Sequence, residues 1–493
     1  MNIIRLLAKQ KKNDNLIIDN NHSISYSSLY HWLINEIKRM KLLKVKIKSI
    51  GIYLPNSIEF IEALILSLSL HVQVVIFGYD NNLIELKKKI ASTNIDTLII
   101  MSYLYISNIE FTSYAKSSKI NLIIFERKKF RFIEYKKNKF KSSKKNYLIL
   151  TTSGTTNDCK NVILSTSKLV SNAIIHIRNV GLNISDSMVI IISMSTISCL
   201  TSQIFSSLIV GQKLIITNKF ETASYYLDLL KRHGISALCL VPSKFKILSQ
   251  ILISDTSEQI YLNKIWIGGD KVDFDLIHKF ITYFPNCSVY NVYGLTELSP
   301  RVAMLNMNKY INKRNSVGRP IRGVRIGIYD NEYKKITKPY EIGKILIKSK
   351  YIMKGYYQNK LLTMNSFHKK MFITGDFGYV DNENFLYIIG REKNIIICGG
   401  ENIYPEEIEE VIKKVDEVAD AIVYGEKNII LGEIPVALVI KSNSIDMSDS
   451  EFKDKIFSYC EKNLSGNRVP FKIKIVDNII RTESGKIKRR KQK

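Results

Sequence analysis

The chain of 493 residues is 45% hydrophobic and 24% charged, a globular composition that excludes wholesale disorder and a linker-dominated architecture. At ~100–200 residues per domain it holds roughly two to four units, each large enough for its own core. Its 73 basic and 45 acidic residues give a formal net charge of +28, but the lysines run along the whole chain beside abundant isoleucine, asparagine, tyrosine and phenylalanine. That pattern is read as compositional bias, since a nucleic-acid partner calls for a basic patch or stripe.

Strand-like and helix-like patterns alternate over the first three quarters. SIGIYL (49–54) reads as a short buried strand, and NSIEFIEALILSLSL (56–70) as a helix opened by an Asn/Ser cap. Further strands are predicted at VQVVIFG (72–78), DTLIIM (96–101), NLIIFE (121–126), NYLILT (146–151), QKLIIT (212–217), SALCLV (236–241), KIWIGG (264–269) and SVYNVYG (288–294). Most are continuous apolar runs rather than alternations, as in α/β sheets covered by helices on both faces. The basic, aromatic-rich segment 126–146 is expected to be a solvated connector. Beyond about residue 316 the helices thin out, and VRIGIYD, GKILIKS and FLYIIG predict a small β-rich subdomain. A boundary near Gly390–Lys393 then divides an N-terminal domain, 1–390, from an α+β C-terminal domain, 391–493, with order helix, strand, strand, helix, strand.

Six scattered cysteines with no CxxC pair, and seven histidines with no HExxH, argue against a disulfide framework and a zinc site. They point to a reducing compartment and a cytoplasmic location. No run reaches the ~18 apolar residues of a membrane span, and the apolar core of MNIIRLLAKQKKNDN is too short for a signal peptide.

The chemistry begins at LILTTSGTTNDCKNVILS (148–165). A strand runs into a loop with Thr152, Ser153, Gly154, Thr155 and Thr156, followed by Lys160. Clustered hydroxyls and backbone N–H groups, a glycine that admits an anion and one cation are what a polyphosphate needs. The glycine–lysine adjacency of a P-loop is missing. Then follow VYGLTE (292–297), TGD (374–376), GREKNIIICGGENIYPEEIEE (390–410) and RTESGKIKR (481–489). In this order and spacing the motifs resemble those of the adenylate-forming superfamily, over roughly residues 50–490, and GGENIYPEEIEE resembles its acyl-CoA synthetase branch.

The resemblance implies a large N-terminal α/β domain and a mobile C-terminal lid. It also implies an ATP- and Mg²⁺-dependent acid–thiol ligase, which forms an acyl-adenylate and passes the acyl group to CoA. Lys486 matches the lysine that bridges the carboxylate and the α-phosphate. Glu297 matches the magnesium ligand and Thr296 an α-phosphate contact. Tyr293 is similar to the aromatic that stacks on adenine, with Asn291 beside it, Gly294 in the same motif, and Gly268, Gly269 and Asp270 on the adenine side. Asp376 matches the ribose-binding aspartate and Arg391 the arginine next to it. Lys393 falls at the hinge, and Gly399, Gly400 and Glu401 at the loop over the pantetheine channel. A phosphopantetheinyl carrier protein is the alternative acceptor, and a non-catalytic nucleotide-binding relative the alternative of another class.

The pattern is broken in places. Asn157, Cys159 and Asn161 stand where the family loop has glycine, proline and glycine. Asparagine tolerates positive φ, so the backbone is expected to keep its path there. Thr196 stands at the usual histidine near the acyl pocket, Lys344 replaces a common glutamate and Ile480 a proline.

Overall fold

The structure, a computed structural model, describes residues 3–20, 22–42, 47–79, 83–126, 129–135, 147–152, 160–217, 222–254, 260–442 and 447–480. They fall into two compact units. One comprises 1–314, 320–324 and 349–365, the other 315–319, 325–348 and 366–493.

The first unit holds two sheets. Among the described residues one runs in the order Gly355–Tyr356, Lys160–Ser165, Tyr147–Thr152, Gln73–Ile76, Ser49–Ile52, Thr97–Met101, Asn121–Glu126, Lys129–Ile133. Pairing is parallel from Tyr147–Thr152 to Asn121–Glu126 and antiparallel at both borders. The continuous apolar runs are its parallel strands because both faces are covered. Val75, Leu98, Leu122 and Ile149 pack with Leu86, Ile90, Phe111 and Ala115 of the helices Leu83–Thr93 and Ile109–Ser117. The helix Ile58–Ser69 is buried along all 12 residues and capped as its sequence predicts, with Ser57 accepting from the Phe60 N–H.

The 126–146 segment departs from the expected connector. Lys129–Ile133 is an antiparallel edge strand on Asn121–Glu126. Phe130 is buried, stacks on Phe125 with ring centroids 5.8 Å apart and lies under the Arg39 guanidinium. Alternating cations and aromatics suit a strand with one buried face, so the period of two outweighed the charge. Residues 136–146 lie outside the described residues.

The second sheet sets Ser288–Gly294, Lys264–Gly268, Ala237–Leu240, Ser187–Ile190, Lys213–Ile216 and Leu16–Ile18 parallel to one another, in that order. Arg301–Asn306 closes one side antiparallel and Ser23–Ser25 the other. In such sheets ligands gather beyond the carboxyl ends of the strands, where Gly268 and Gly294 lie.

The second unit carries an antiparallel sheet containing Val324–Tyr329, Gly343–Ser349, Met371–Val380, Leu386–Arg391 and Ser316–Pro320. It also carries a smaller sheet in which Gly432–Lys441 pairs antiparallel with Val418–Asn428 and parallel with Lys472–Ile475. Ile408 and Ile412 of the helix Pro405–Ile412, and Phe452, Ile456 and Cys460 of Asp449–Asn463, share one core with Val423, Val436 and Ile473. A reciprocal Ser448–Glu451 capping box opens the second helix.

Candidate active site

In the first unit, the strand Ser288–Gly294 carries three predicted site residues. Asn291 is buried, and Tyr293 and Gly294 are half-buried at the strand's carboxyl end. A side chain at Gly294 would bring its Cβ to 2.3 Å from the Pro300 carbonyl oxygen, and one at Gly268 to 2.5 Å from that of Val292. Glycine is therefore required at both by close backbone approach. Gly269 has φ +103°, and Asp270 accepts from the Lys271 N–H at 2.8 Å.

A single helical turn, Thr296–Leu298, presents Thr296 and Glu297. The Glu297 carbonyl accepts from Met353 N–H at 2.7 Å, and its carboxylate Oε1 accepts from Tyr356 Oη at 2.9 Å. Tyr356 sits on the strand Gly355–Tyr356, paired with Lys160–Ser165, and Lys160 Nζ lies 5.6 Å from its ring centroid. The fold thus gathers a carboxylate, a phenol and a lysine from three separate motifs. The carboxylate is a hard oxygen ligand of the type Mg²⁺ prefers, and the lysine suits a phosphate. Tyr356, in the segment MKGYYQN (353–359), was given no role by the sequence.

Thr152 ends the strand leading into the loop, while Ser153, Gly154, Thr155, Thr156, Asn157 and Cys159 lie outside the described residues. Asn161 corrects one expectation. It lies within the extended strand Lys160–Ser165, opposite Thr151, and is not among the residues of positive φ. It serves through its amide, accepting from Thr151 Oγ1 at 2.9 Å and donating to Ser92 Oγ at 3.3 Å. Thr196 caps a short helix, accepting from the Cys199 N–H and donating to the Ser193 carbonyl at 2.8 Å.

In the second unit, Asp376 and Arg391 are register partners on adjacent strands. Arg391 Nε donates to Asp376 Oδ1 at 2.9 Å, and the Asp376 side chain is buried. Thr374 shapes the TGD turn, donating to the Ile345 carbonyl and accepting from the Asp376 N–H, and Gly375 takes φ +72°. Lys344 forms an ion pair with Glu392 at 2.8 Å, next to Lys393 in the turn Glu392–Asn394. Gly399 and Gly400, with φ +57° and +82°, turn the hairpin Ile396–Cys398 to Glu401–Ile403, and Glu401 pairs with Arg468 at 3.4 Å. Lys486 lies outside the described residues.

The sequence matches the AMP-binding enzyme family over residues 5–357 and the AMP-binding enzyme C-terminal domain over 407–486. Similar relatives include the 2-succinylbenzoate–CoA ligase of Bacillus pumilus, 30% identical over 346 residues, covering 70% of this chain and 68% of the relative. The enzyme of the same name from Bacillus subtilis has the same identity and coverage. Among solved structures, o-succinylbenzoate CoA synthetase from Bacillus subtilis with its acyl-adenylate intermediate superimposes with TM-score 0.84 at 24% identity, over 100% of this chain and 98% of that one. ATP-bound MatB from Rhodopseudomonas palustris gives 0.86 at 20% identity, with the same coverage.

The chain belongs to the AMP-binding enzyme family. Within it, the protein is an AMP-forming acid–CoA ligase: a carboxylic acid and MgATP give an acyl-adenylate and pyrophosphate, and CoA then gives the thioester and AMP. Its small-molecule substrate is a carboxylic acid. Among the described residues no helix is long and apolar enough to cross a membrane.

Proposed function

We propose that the acid is an aromatic dicarboxylate of the 2-succinylbenzoate kind, activated in the cytosol and transferred to free CoA. The observation that carries this reading is the 30% identity over 346 residues to 2-succinylbenzoate–CoA ligases. The same relatives, named as CoA ligases, favour CoA over a carrier protein.

In the first step a carboxylate oxygen attacks the α-phosphorus of ATP and pyrophosphate leaves. Two anions must meet, so the protein supplies positive charge and alignment. Lys486 bridges the carboxylate and the α-phosphate, a role resting on the RTESGK motif. Thr152, Ser153, Gly154, Thr155, Thr156 and Lys160 hold the phosphates, and Thr296 contacts the α-phosphate. Glu297 holds magnesium, and the Tyr356 hydroxyl orients its carboxylate. Asn291, Tyr293, Gly294, Gly268, Gly269 and Asp270 take the adenine. Asp376, steadied by Arg391, accepts from the ribose hydroxyls. In the second step the thiol attacks the acyl carbonyl and AMP departs. Residues 391–493 act as the lid, Lys393 is its pivot, and Gly399, Gly400 and Glu401 line the way for pantetheine.

The test is to incubate the enzyme with MgATP, CoA and an equimolar panel of fatty, aryl, amino and dicarboxylic acids, and to read acyl-CoA products by mass spectrometry. The proposal expects 2-succinylbenzoyl-CoA to dominate. A fatty acyl product in its place would overturn the assignment of the acid, and transfer to a carrier protein but not to CoA would overturn that of the acceptor.

A further inference from the structure

Arg301 has a charge that the adenylation chemistry leaves unused. It opens the strand Arg301–Asn306, and its register partner across the antiparallel pair is Gly294 of the nucleotide motif. Register partners have Cα atoms about 5 Å apart and direct their side chains to the same face. The residue is only 3% exposed, and its Nε and Nη2 groups find no acceptor. Among the described residues no carboxylate pairs with it; the Cys239 thiol is its hydrogen-bonding neighbour. Burial pushes its pKa down, yet a guanidinium keeps its proton at neutral pH. A buried cation without a counter-charge is costly, and a fold that retains one calls for an anion to meet it.

The groups around it are buried with it. His176, close enough to feel the Arg301 charge, is held neutral by burial and by that charge, and both its ring nitrogens lack partners. Its ring meets Trp266 edge-on, with centroids 4.8 Å apart, and Trp266 Nε1 donates to Ser202 Oγ at 3.3 Å. Ser202 Oγ lies 3.9 Å from Cys239 Sγ. The backbone of Arg301 is fixed at both polar groups by the buried Asn172 amide, at 3.2 Å each. The residue is thus anchored at its root, while Nε and Nη2 at its tip find no partner among the described residues.

We infer that Arg301 is the counter-charge for a second carboxylate on the substrate, and so makes this ligase selective for dicarboxylic acids. The inference rests on the proposed reading of the acid and adds the group that recognises it. One carboxylate is adenylated while the other, carried by the aromatic ring, accepts from the guanidinium in the two-pronged geometry that arginine favours.

The experiment measures kcat/KM by acyl-CoA formation for wild type, Arg301→Met and Arg301→Lys. The substrates are 2-succinylbenzoate and its two single-carboxylate analogues, 4-oxo-4-phenylbutanoate and 2-butanoylbenzoate. Arg301→Met is expected to lower the preference for the dicarboxylate over the better analogue by about 100-fold, mainly through KM, with Arg301→Lys intermediate. The unliganded Tm of Arg301→Met is expected to stay level or rise, because an unpaired buried charge has been replaced by an apolar chain of similar length. An unchanged preference overturns the inference and leaves the proposed acid standing. Equal loss with all substrates together with a lower Tm makes Arg301 a structural residue, and also overturns it. If wild type accepts another dicarboxylate but not 2-succinylbenzoate, the named acid falls and the same comparison with that dicarboxylate decides Arg301. Wild-type activity with monocarboxylic acids alone overturns both.

Discussion

Glu297 is half-buried and fixed at both ends, by Met353 through its carbonyl and by Tyr356 through its carboxylate. A hydrogen bond to an ionised group contributes about 1.5–3 kcal/mol, so removing it would free the proposed metal ligand without removing the ligand itself. Tyr356→Phe is therefore expected to raise the magnesium requirement about tenfold or more while leaving ADP and AMP binding in the absence of metal unchanged. A magnesium titration of the acyl-CoA rate checks this, and an unchanged midpoint would make the contact incidental. Lys244 offers a second test. Its ammonium donates to the Ile191 carbonyl at 2.8 Å, and burial lowers its pKa to about 8. Between pH 8 and the ordinary lysine value of ~10.4, the unfolded chain binds more protons than the folded one, so stability rises with pH through that window. Below it the penalty of the buried charge is fully present. Lys244→Met should flatten the rise and increase Tm at pH 7, as measured by thermal unfolding from pH 7 to 10. The motifs carrying Glu297, Lys160 and Asp376 stood out in the sequence because chemistry limits which side chains suit a metal, a phosphate or a ribose, the roles proposed for them. Tyr356 was not: a tyrosine in a β-rich sequence has many uses, and only the pairing of Gly355–Tyr356 with Lys160–Ser165 carries it to Glu297.

Elements were read most clearly where burial is uniform. The runs at 97–101, 237–240 and 288–294 are strands because helices cover both faces of their sheets, leaving no polar face to blur the pattern. Local polarity misled in two places. The cationic residues of Lys129–Ile133 hid an edge strand whose apolar face is supplied by phenylalanine. Asn161, read as a substitute glycine, is an extended strand residue whose amide ties Thr151 to Ser92. The substitution Asn161→Ala should cost about 1–3 kcal/mol through the lost bonds, and Asn161→Gly about 0.5–1 kcal/mol more, since glycine weakens strand interiors. Denaturant midpoints decide this. A glycine variant as stable as wild type would restore the turn-like reading of the loop's end.

At the scale of the whole molecule, the order of motifs revealed more than any one of them. A serine- and threonine-rich loop or a TGD turn is common in unrelated chains, but a phosphate loop, YGLTE, TGD, GREK and SGK in series constrain one another. What the series could not show was which acid is taken, because an acyl pocket is assembled from residues that adjoin the motifs without belonging to them. Arg301 is the proposed example: beside YGLTE in sequence it is one more cation in a chain of net charge +28, and only its burial without a counter-charge among the described residues distinguishes it. The charge is otherwise spread over the chain, consistent with a composition that leaves the chemistry intact.

Adenylation of a carboxylic acid through Lys486 is the proposed step on which every other role depends. The most direct measurement is acid-dependent exchange of labelled pyrophosphate into ATP, with magnesium and 2-succinylbenzoate, in wild type beside Lys486→Ala. Exchange is expected to require the acid and to fall by about 10²–10³-fold in the variant, with ATP binding retained. Exchange undiminished in Lys486→Ala, or none from wild type with any acid while ATP still binds, would contradict it.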